Sequence, residues 1–285
     1  MSGYSLSGAV VAVTGGARGI GRATAEAFAR AGAKVAIGDI DAELAKATAS
    51  ELAAAVGGEV VGLPLDVTDP DVFAVFLDAA EANLGPLDVL VNNAGIMPTG
   101  QFLDEAPQLT DRQIDINVRG VLTGSRLAGR RFTARGRGHI VNIASLAGMT
   151  AEPELATYCG TKHFVVGFSE ALWRELHPQG IGVTMVLPGF INTELASGAN
   201  VPNWARKIAV RDPEDVAAAI VGAVRADSRA VIVPNSLGLV LKFKNLLPGK
   251  IRYAVVDALG FGRIFTDTDP NQRAAYHRRV EGHLR

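Results

Sequence analysis

The stretch Thr14-Gly15-Gly16-Ala17-Arg18-Gly19-Ile20-Gly21 joins a short apolar run, Ala9 to Val13, to an alanine-rich amphipathic one, Gly21 to Ala31. The first run predicts a strand. The second, whose apolar residues recur near helical spacing, predicts a helix. Glycines at 15, 19 and 21 allow a tight turn, let the backbone approach a pyrophosphate, and let helix and strand pack closely. The N-terminus of the helix then favours negative charge. A glycine pattern alone is often only a turn; strand, glycine loop and helix in this order open a nucleotide-binding α/β fold.

The alternation continues along the chain. Lys34 to Gly38, Val60 to Leu65, Leu87 to Val91, His139 to Ile143 and Ile181 to Leu187 read as further strands, and Asp41 to Ala55 and Asp71 to Asn83 as helices. Near-continuous β-branched strands without period-two polarity suit a parallel sheet covered on both faces, hence a doubly wound fold. Asp212-Pro213-Glu214-Asp215 reads as the start of the last core helix, with Asp212 as N-cap and Pro213 at the first helical position.

At 285 residues, with 48% hydrophobic and 20% charged, the chain can bury one large core, which we place in residues 1–235. The pattern changes after Val233-Pro234-Asn235. From Ser236 onward nine Lys or Arg residues face four Asp or Glu among Leu, Val, Ile and Phe, so 236–285 is expected to be a basic, amphipathic, helical extension. A net charge of −1 with scattered basic residues gives no reason to expect a nucleic-acid surface. The single cysteine, Cys159, cannot form an internal disulfide, and the N-terminus lacks the basic and apolar regions of a signal peptide. The expectation is a soluble, cytoplasmic protein. His163 and His177 lack the companions of a metal site, so no catalytic metal is expected.

Further motifs follow the glycine loop in order. Asp39 ends the second strand, where a carboxylate can accept hydrogen bonds from ribose hydroxyls and would repel a 2′-phosphate. Asp66-Val67 follows the third strand and Asn92-Asn93-Ala94-Gly95 the fourth. Asn117 lies in Ile116-Asn117-Val118, Ser145 follows the fifth strand, and Tyr158 and Lys162 stand four apart, on one face if that stretch is helical. Leu187-Pro188-Gly189-Phe190-Ile191-Asn192-Thr193 ends the sixth strand. A Tyr–Lys pair alone is weak evidence, but the ordered set over about residues 7 to 233 resembles the short-chain dehydrogenase/reductase family, with its TGxxxGIG loop, NNAG turn, tetrad and PG motif.

That resemblance implies a Rossmann fold with a mainly seven-stranded parallel sheet. It implies cofactor contacts at Gly15, Arg18, Gly19, Ile20, Gly21, Asp39, Asp66, Val67, Asn93, Ala94, Gly95, Tyr158, Lys162, Pro188, Gly189, Ile191 and Thr193. Arg18 would favour NADP and Asp39 favours NAD; the carboxylate is expected to prevail, because it would face a dianion at close range. Tyr158 becomes the acid/base, its pKa lowered by Lys162 and an oxidised nicotinamide, Ser145 holds the substrate oxygen, and Asn117 bends its helix and positions a water that links Lys162 to solvent. Met97, Ala147, Leu155, Phe190 and Leu195 suggest an apolar substrate pocket.

The expected activity is interconversion of a hydrophobic secondary alcohol and a ketone with NAD. Two alternatives use the same residues: an NADPH-dependent 3-oxoacyl thioester reductase, and a nucleotide-sensing binding protein without turnover. By resemblance, dimers or tetramers form through the helices carrying Asn117 and Tyr158. The tail, with apolar residues from Leu239 to Phe265 broken at Pro248-Gly249, could pack on the core, cover the substrate cleft or rest on an anionic membrane.

Overall fold

The computed structural model describes residues 5–238, 264–266, 276, 278–280 and 282. The elements run β1 (Val10–Thr14), α1 (Gly19–Arg30), β2 (Lys34–Asp39), α2 (Ala42–Val56), β3 (Val60–Pro64), α3 (Pro70–Leu84), β4 (Leu87–Asn92), α4 (Pro107–Ile114), α5 (Val121–Arg135), β5 (Gly138–Ile143), α6 (Ala156–Leu176), β6 (Ile181–Pro188), β7 (Phe190–Ile191), α7 (Asn203–Ala209), β8 (Val210–Arg211), α8 (Pro213–Arg225) and β9 (Ala230–Val233). Seven parallel strands form one sheet in the order β3-β2-β1-β4-β5-β6-β9, while β7 and β8 pair separately.

Alternation along β1 shows why both faces are covered. Val11 and Val13 join α1, α2 and α8 through Phe28, Leu52 and Ile220. Val10 and Ala12 face the other way, into a layer built by Phe73 and Phe76 of α3 and Phe132 of α5. A parallel strand buried on two sides has no polar alternate positions, which is why these runs read as continuous apolar sequence. The expected start of α8 is present: the Asp212 N–H donates to the Asp215 carboxylate at 3.2 Å, with Pro213 in the first turn. Among the described residues no helix is long and apolar enough to cross a membrane.

Strand order reverses between β1 and β4, which leaves a crevice beyond their carboxyl ends. The expected amphipathic segments between Leu239 and Arg263 lie outside the described residues.

Candidate active site

The glycine loop leaves β1 through Gly15 at φ +61°, a left-handed conformation that favours glycine. Gly21 is buried beneath it. A Cβ there would stand 2.1 Å from the Gly15 carbonyl oxygen, so α1 can start this close to the strand only without a side chain. The NNAG turn clamps the loop from the neighbouring strand. Asn93 Nδ2 donates to the carbonyls of Thr14 and Gly15 at 2.9 and 3.0 Å, and the N–H groups of Asn93 and Ala94 both donate to Thr14 Oγ1 at 3.0 Å.

At the end of β2, Asp39 accepts from the Ala17 N–H (3.1 Å) and the Asp41 N–H (3.2 Å). Both bonds fix the carboxylate at the rim. Arg18, expected to compete with it for cofactor choice, is paired with Asp41 at 2.6 Å. Asp41 also accepts from the Leu44 N–H at 3.1 Å and so caps α2. The Arg18 guanidinium is therefore held by Asp41, two residues from the Asp39 carboxylate in sequence. Asp66 accepts from both the N–H (2.9 Å) and the hydroxyl (2.6 Å) of Thr68, with Arg112 3.9 Å from its other oxygen.

The four tetrad residues come from three places in the fold: the π-helical stretch before α5, the end of β5, and α6. Asn117 lies in a π-helical stretch, Asp115–Gly120, between α4 and α5, and is fully buried. The extra residue per turn of a π-bulge bends the helical path. The Asn117 amide pairs with the backbone of Ile96 in both directions, each bond 2.9 Å, and donates to Thr161 Oγ1 at 3.2 Å. It therefore ties the segment after the NNAG turn to α6 from behind the cleft. Ser145 follows β5, accepts from the Ala147 N–H at 3.1 Å, and lines the same cleft as Tyr158.

Tyr158 and Lys162 share one face of α6, and both are buried. Lys162 Nζ donates to the Ile143 carbonyl at 2.8 Å and lies 5.7 Å from the Tyr158 ring centroid. Burial brings the Lys162 pKa down to about 8. Burial also raises the Tyr158 hydroxyl well above the ordinary phenol value, and the influence of Ser145 offsets only part of this. Without a cofactor, desolvation of the phenolate is the largest influence on Tyr158; the expected lowering by Lys162 and an oxidised nicotinamide together concerns the cofactor-bound state.

These groups border one cleft of about 1640 Å³. Every expected cofactor position lines it except Gly21, which packs below the loop, and all five expected pocket residues, Met97, Ala147, Leu155, Phe190 and Leu195, line it too. Ligand pockets commonly span about 300 to 1,000 Å³, so this one has room for a dinucleotide and a substrate side by side. The glycine loop at one end and the fixed Asp39 carboxylate fit the diphosphate and ribose of such a group.

One feature escaped the sequence reading. A buried polar ladder crosses behind the site: Asn92 donates to Ser125 Oγ (3.1 Å) and to Asn142 Oδ1 (2.9 Å), and Asn142 donates to Ser169 Oγ (3.0 Å). The sequence reading allowed the tail to cover the substrate cleft but not which residues would do so: Leu237, Ile264, Phe265, Tyr276, Arg279 and Val280 line it. Ile264 and Phe265 stand out in sequence as apolar, but nothing in the sequence says where they go.

A family model described as short chain dehydrogenase matches residues 9–203. The chain is 40% identical over 233 residues to probable oxidoreductase EphD of Mycobacterium tuberculosis, an alignment covering 76% of this chain and 39% of that protein, so it spans about two-fifths of that relative. It is 40% identical over 190 residues to 3-alpha-(or 20-beta)-hydroxysteroid dehydrogenase of Mycobacterium bovis, covering 67% of this chain and 72% of the relative. The crystal structure of a short chain dehydrogenase/reductase from Burkholderia phymatum in complex with NAD superposes with a TM-score of 0.77 at 26% identity, covering 85% of this chain and 94% of the other. A family match over more than half of the chain, on a seven-stranded doubly wound sheet, means that this chain belongs to the short-chain dehydrogenase/reductase family.

Proposed function

We propose that the protein is an NAD(H)-dependent oxidoreductase that interconverts a hydrophobic secondary alcohol and its ketone. The observation that carries this reading is that Ser145, buried Tyr158 and buried Lys162 line one cleft together with the glycine loop on one side and an apolar pocket on the other. Bound NAD supplies the two-electron acceptor or donor for the carbinol carbon. Ser145 orients the substrate oxygen, and Tyr158 gives or takes the proton at that oxygen. With its pKa raised, Tyr158 is held protonated at neutral pH, the form that protonates a carbonyl oxygen. In the oxidation direction the phenolate needs a nearby positive charge, and Lys162 is the cation placed to supply it.

Asn117 acts through the Ile96 backbone and Thr161 and is a positioning residue. The NAD preference rests on Asp39, held by two backbone N–H groups, and on the pairing of Arg18 with Asp41. A 2′-phosphate would approach two carboxylates and a guanidinium already engaged. The apolar substrate class rests on Met97, Ala147, Leu155, Phe190 and Leu195, and a relative named for a hydroxysteroid agrees with it.

The test is a screen of cyclic and sterol-like secondary alcohols with NAD and NADP, followed by nicotinamide absorbance. The expected result is turnover of apolar alcohols with a kcat/KM favouring NAD by tenfold or more. Turnover confined to NADPH and 3-oxoacyl thioesters would refute the reading, as would cofactor binding with no turnover of any alcohol or ketone.

A further inference from the structure

The substrate half of the cleft has a wall made by residues that follow the Rossmann core. Met97, next to the NNAG turn, donates its N–H to Tyr276 Oη at 2.7 Å, and both side chains are buried. The Phe265 ring stands 6.1 Å from that of Phe190, and the Asn200 N–H donates to the Ile264 carbonyl at 2.9 Å. Arg279 pairs with Glu194 at 2.6 Å, its guanidinium 5.5 Å from the centroid of the Tyr276 ring. The Phe265–Phe190 contact lines the same wall, and two ties reach the Tyr276 ring itself: the Met97 hydrogen bond, and Arg279, which is held in turn by Glu194. They anchor it to the two segments that flank Tyr158, the one after Gly95 and the one around Thr193.

We propose that Tyr276 is a specificity-determining residue, a rigid wall that sets the size of the apolar carbon frame admitted beside Tyr158. Its hydroxyl holds the wall at a fixed distance through Met97, and its ring offers a flat apolar face with two rotatable bonds and little entropy to lose. Arg279 and Glu194 brace it from the rim. The electrostatic influence of the Tyr276 hydroxyl on that of Tyr158 is consistent with the two phenols sharing this half of the cleft. This inference rests on the proposed reaction for its substrate class but makes a separate claim about selectivity.

The experiment compares wild type, Tyr276→Ala and Arg279→Ala on cyclohexanone and cyclododecanone. Initial rates with NADH are measured alongside calorimetric dissociation constants of each ketone for the protein–NADH complex. For Tyr276→Ala the ratio of kcat/KM for the large ketone to that for the small one is expected to rise at least tenfold, with a matching change in the ratio of dissociation constants. Arg279→Ala, which loosens the brace without removing a buried ring, is expected to move both ratios the same way by threefold or more, and it decides the matter if Tyr276→Ala does not fold. Ratios within twofold of wild type in the folded variants overturn the inference, as does failure of wild type to bind either ketone. If ketones bind with the expected ratios but none turns over, the proposed reaction fails while the role of Tyr276 stands.

Discussion

Tyr158 and Lys162 have opposite demands on the same dry site. Burial disfavours charge on both, so the phenol is pushed up and the ammonium down to about 8, and each resists the form that catalysis asks of it in the oxidation direction. On the proposed mechanism, removing the Tyr158 hydroxyl keeps the ring packed but takes away the group that transfers the proton. Tyr158→Phe is expected to lower kcat by about 10²- to 10⁴-fold with the NADH dissociation constant nearly unchanged. Stopped-flow rates and fluorescence titration check this, and activity within tenfold of wild type would count against the mechanism. At the other end of the cleft the deciding residue is Asp39. Asp39→Ala combined with Ile40→Arg replaces a fixed anion with a cation at the ribose end, and should shift the ratio of kcat/KM for NADP over NAD upward by tenfold or more. A wild type that already prefers NADPH would show that Arg18 outweighs Asp39 despite its pairing with Asp41.

Among the elements, the pairing of β5 with β6 carries a titratable group at the end of the sheet away from the cleft. His139 of β5 is buried and bonds Thr184 of β6 through Nε2 at 2.7 Å; Thr184 in turn donates to the Ser228 carbonyl. Asp227 faces the His139 ring at 3.8 Å and also faces His177 at 3.4 Å. Burial lowers the His139 pKa to about 4, and the Asp227 carboxylate recovers only part of the shift. Between pH 6.5 and 4 the unfolded chain therefore binds the proton more readily than the folded one. Stability rises with pH across this window and is lost as pH falls through it, by up to about 3 kcal/mol. Urea unfolding of wild type and His139→Gln at pH 7 and pH 4.5 checks this. The variant should lose less stability on acidification, and equal losses would place the acid sensitivity elsewhere.

At the scale of the whole molecule, the outer face of α6 raises the question of assembly. Phe164 and Phe168, one turn apart, stack with centroids 5.6 Å apart and planes within 9°, and Phe164 is 36% exposed. Large rings at the surface of the helix that also carries Tyr158 are suited to a contact between copies of the chain. Sedimentation velocity should show a dimer or tetramer for wild type, and Phe164→Glu should shift the population towards monomer. A wild type that sediments as a monomer at micromolar concentration would exclude this assembly. Such a contact would leave the cleft intact, since neither ring borders it.

Most of the fold could be read from the sequence because its signals are local. A strand, a glycine turn and a helix start are adjacent in the chain, and buried parallel strands announce themselves by unbroken apolar runs. Strand β9 and helix α4 were not singled out: the first is four residues at the sheet edge, and the second is mostly polar, although Pro107 at its first turn was an available start signal. The glycine loop and the expected tetrad positions were legible through the resemblance of their ordered motifs to the family, and the structure brings Ser145, Tyr158 and Lys162 to one cleft. Other features required the tertiary structure: the pairing of Asn117 with Ile96 and Thr161, the capture of Arg18 by Asp41, the Asn92–Ser125–Asn142–Ser169 ladder, and the arrival of Phe265 and Tyr276 beside Phe190 and Met97. The same holds for the direction of the Tyr158 pKa. Sequence spacing places an ammonium near a phenol, but only the packed surroundings determine how much water the phenolate loses.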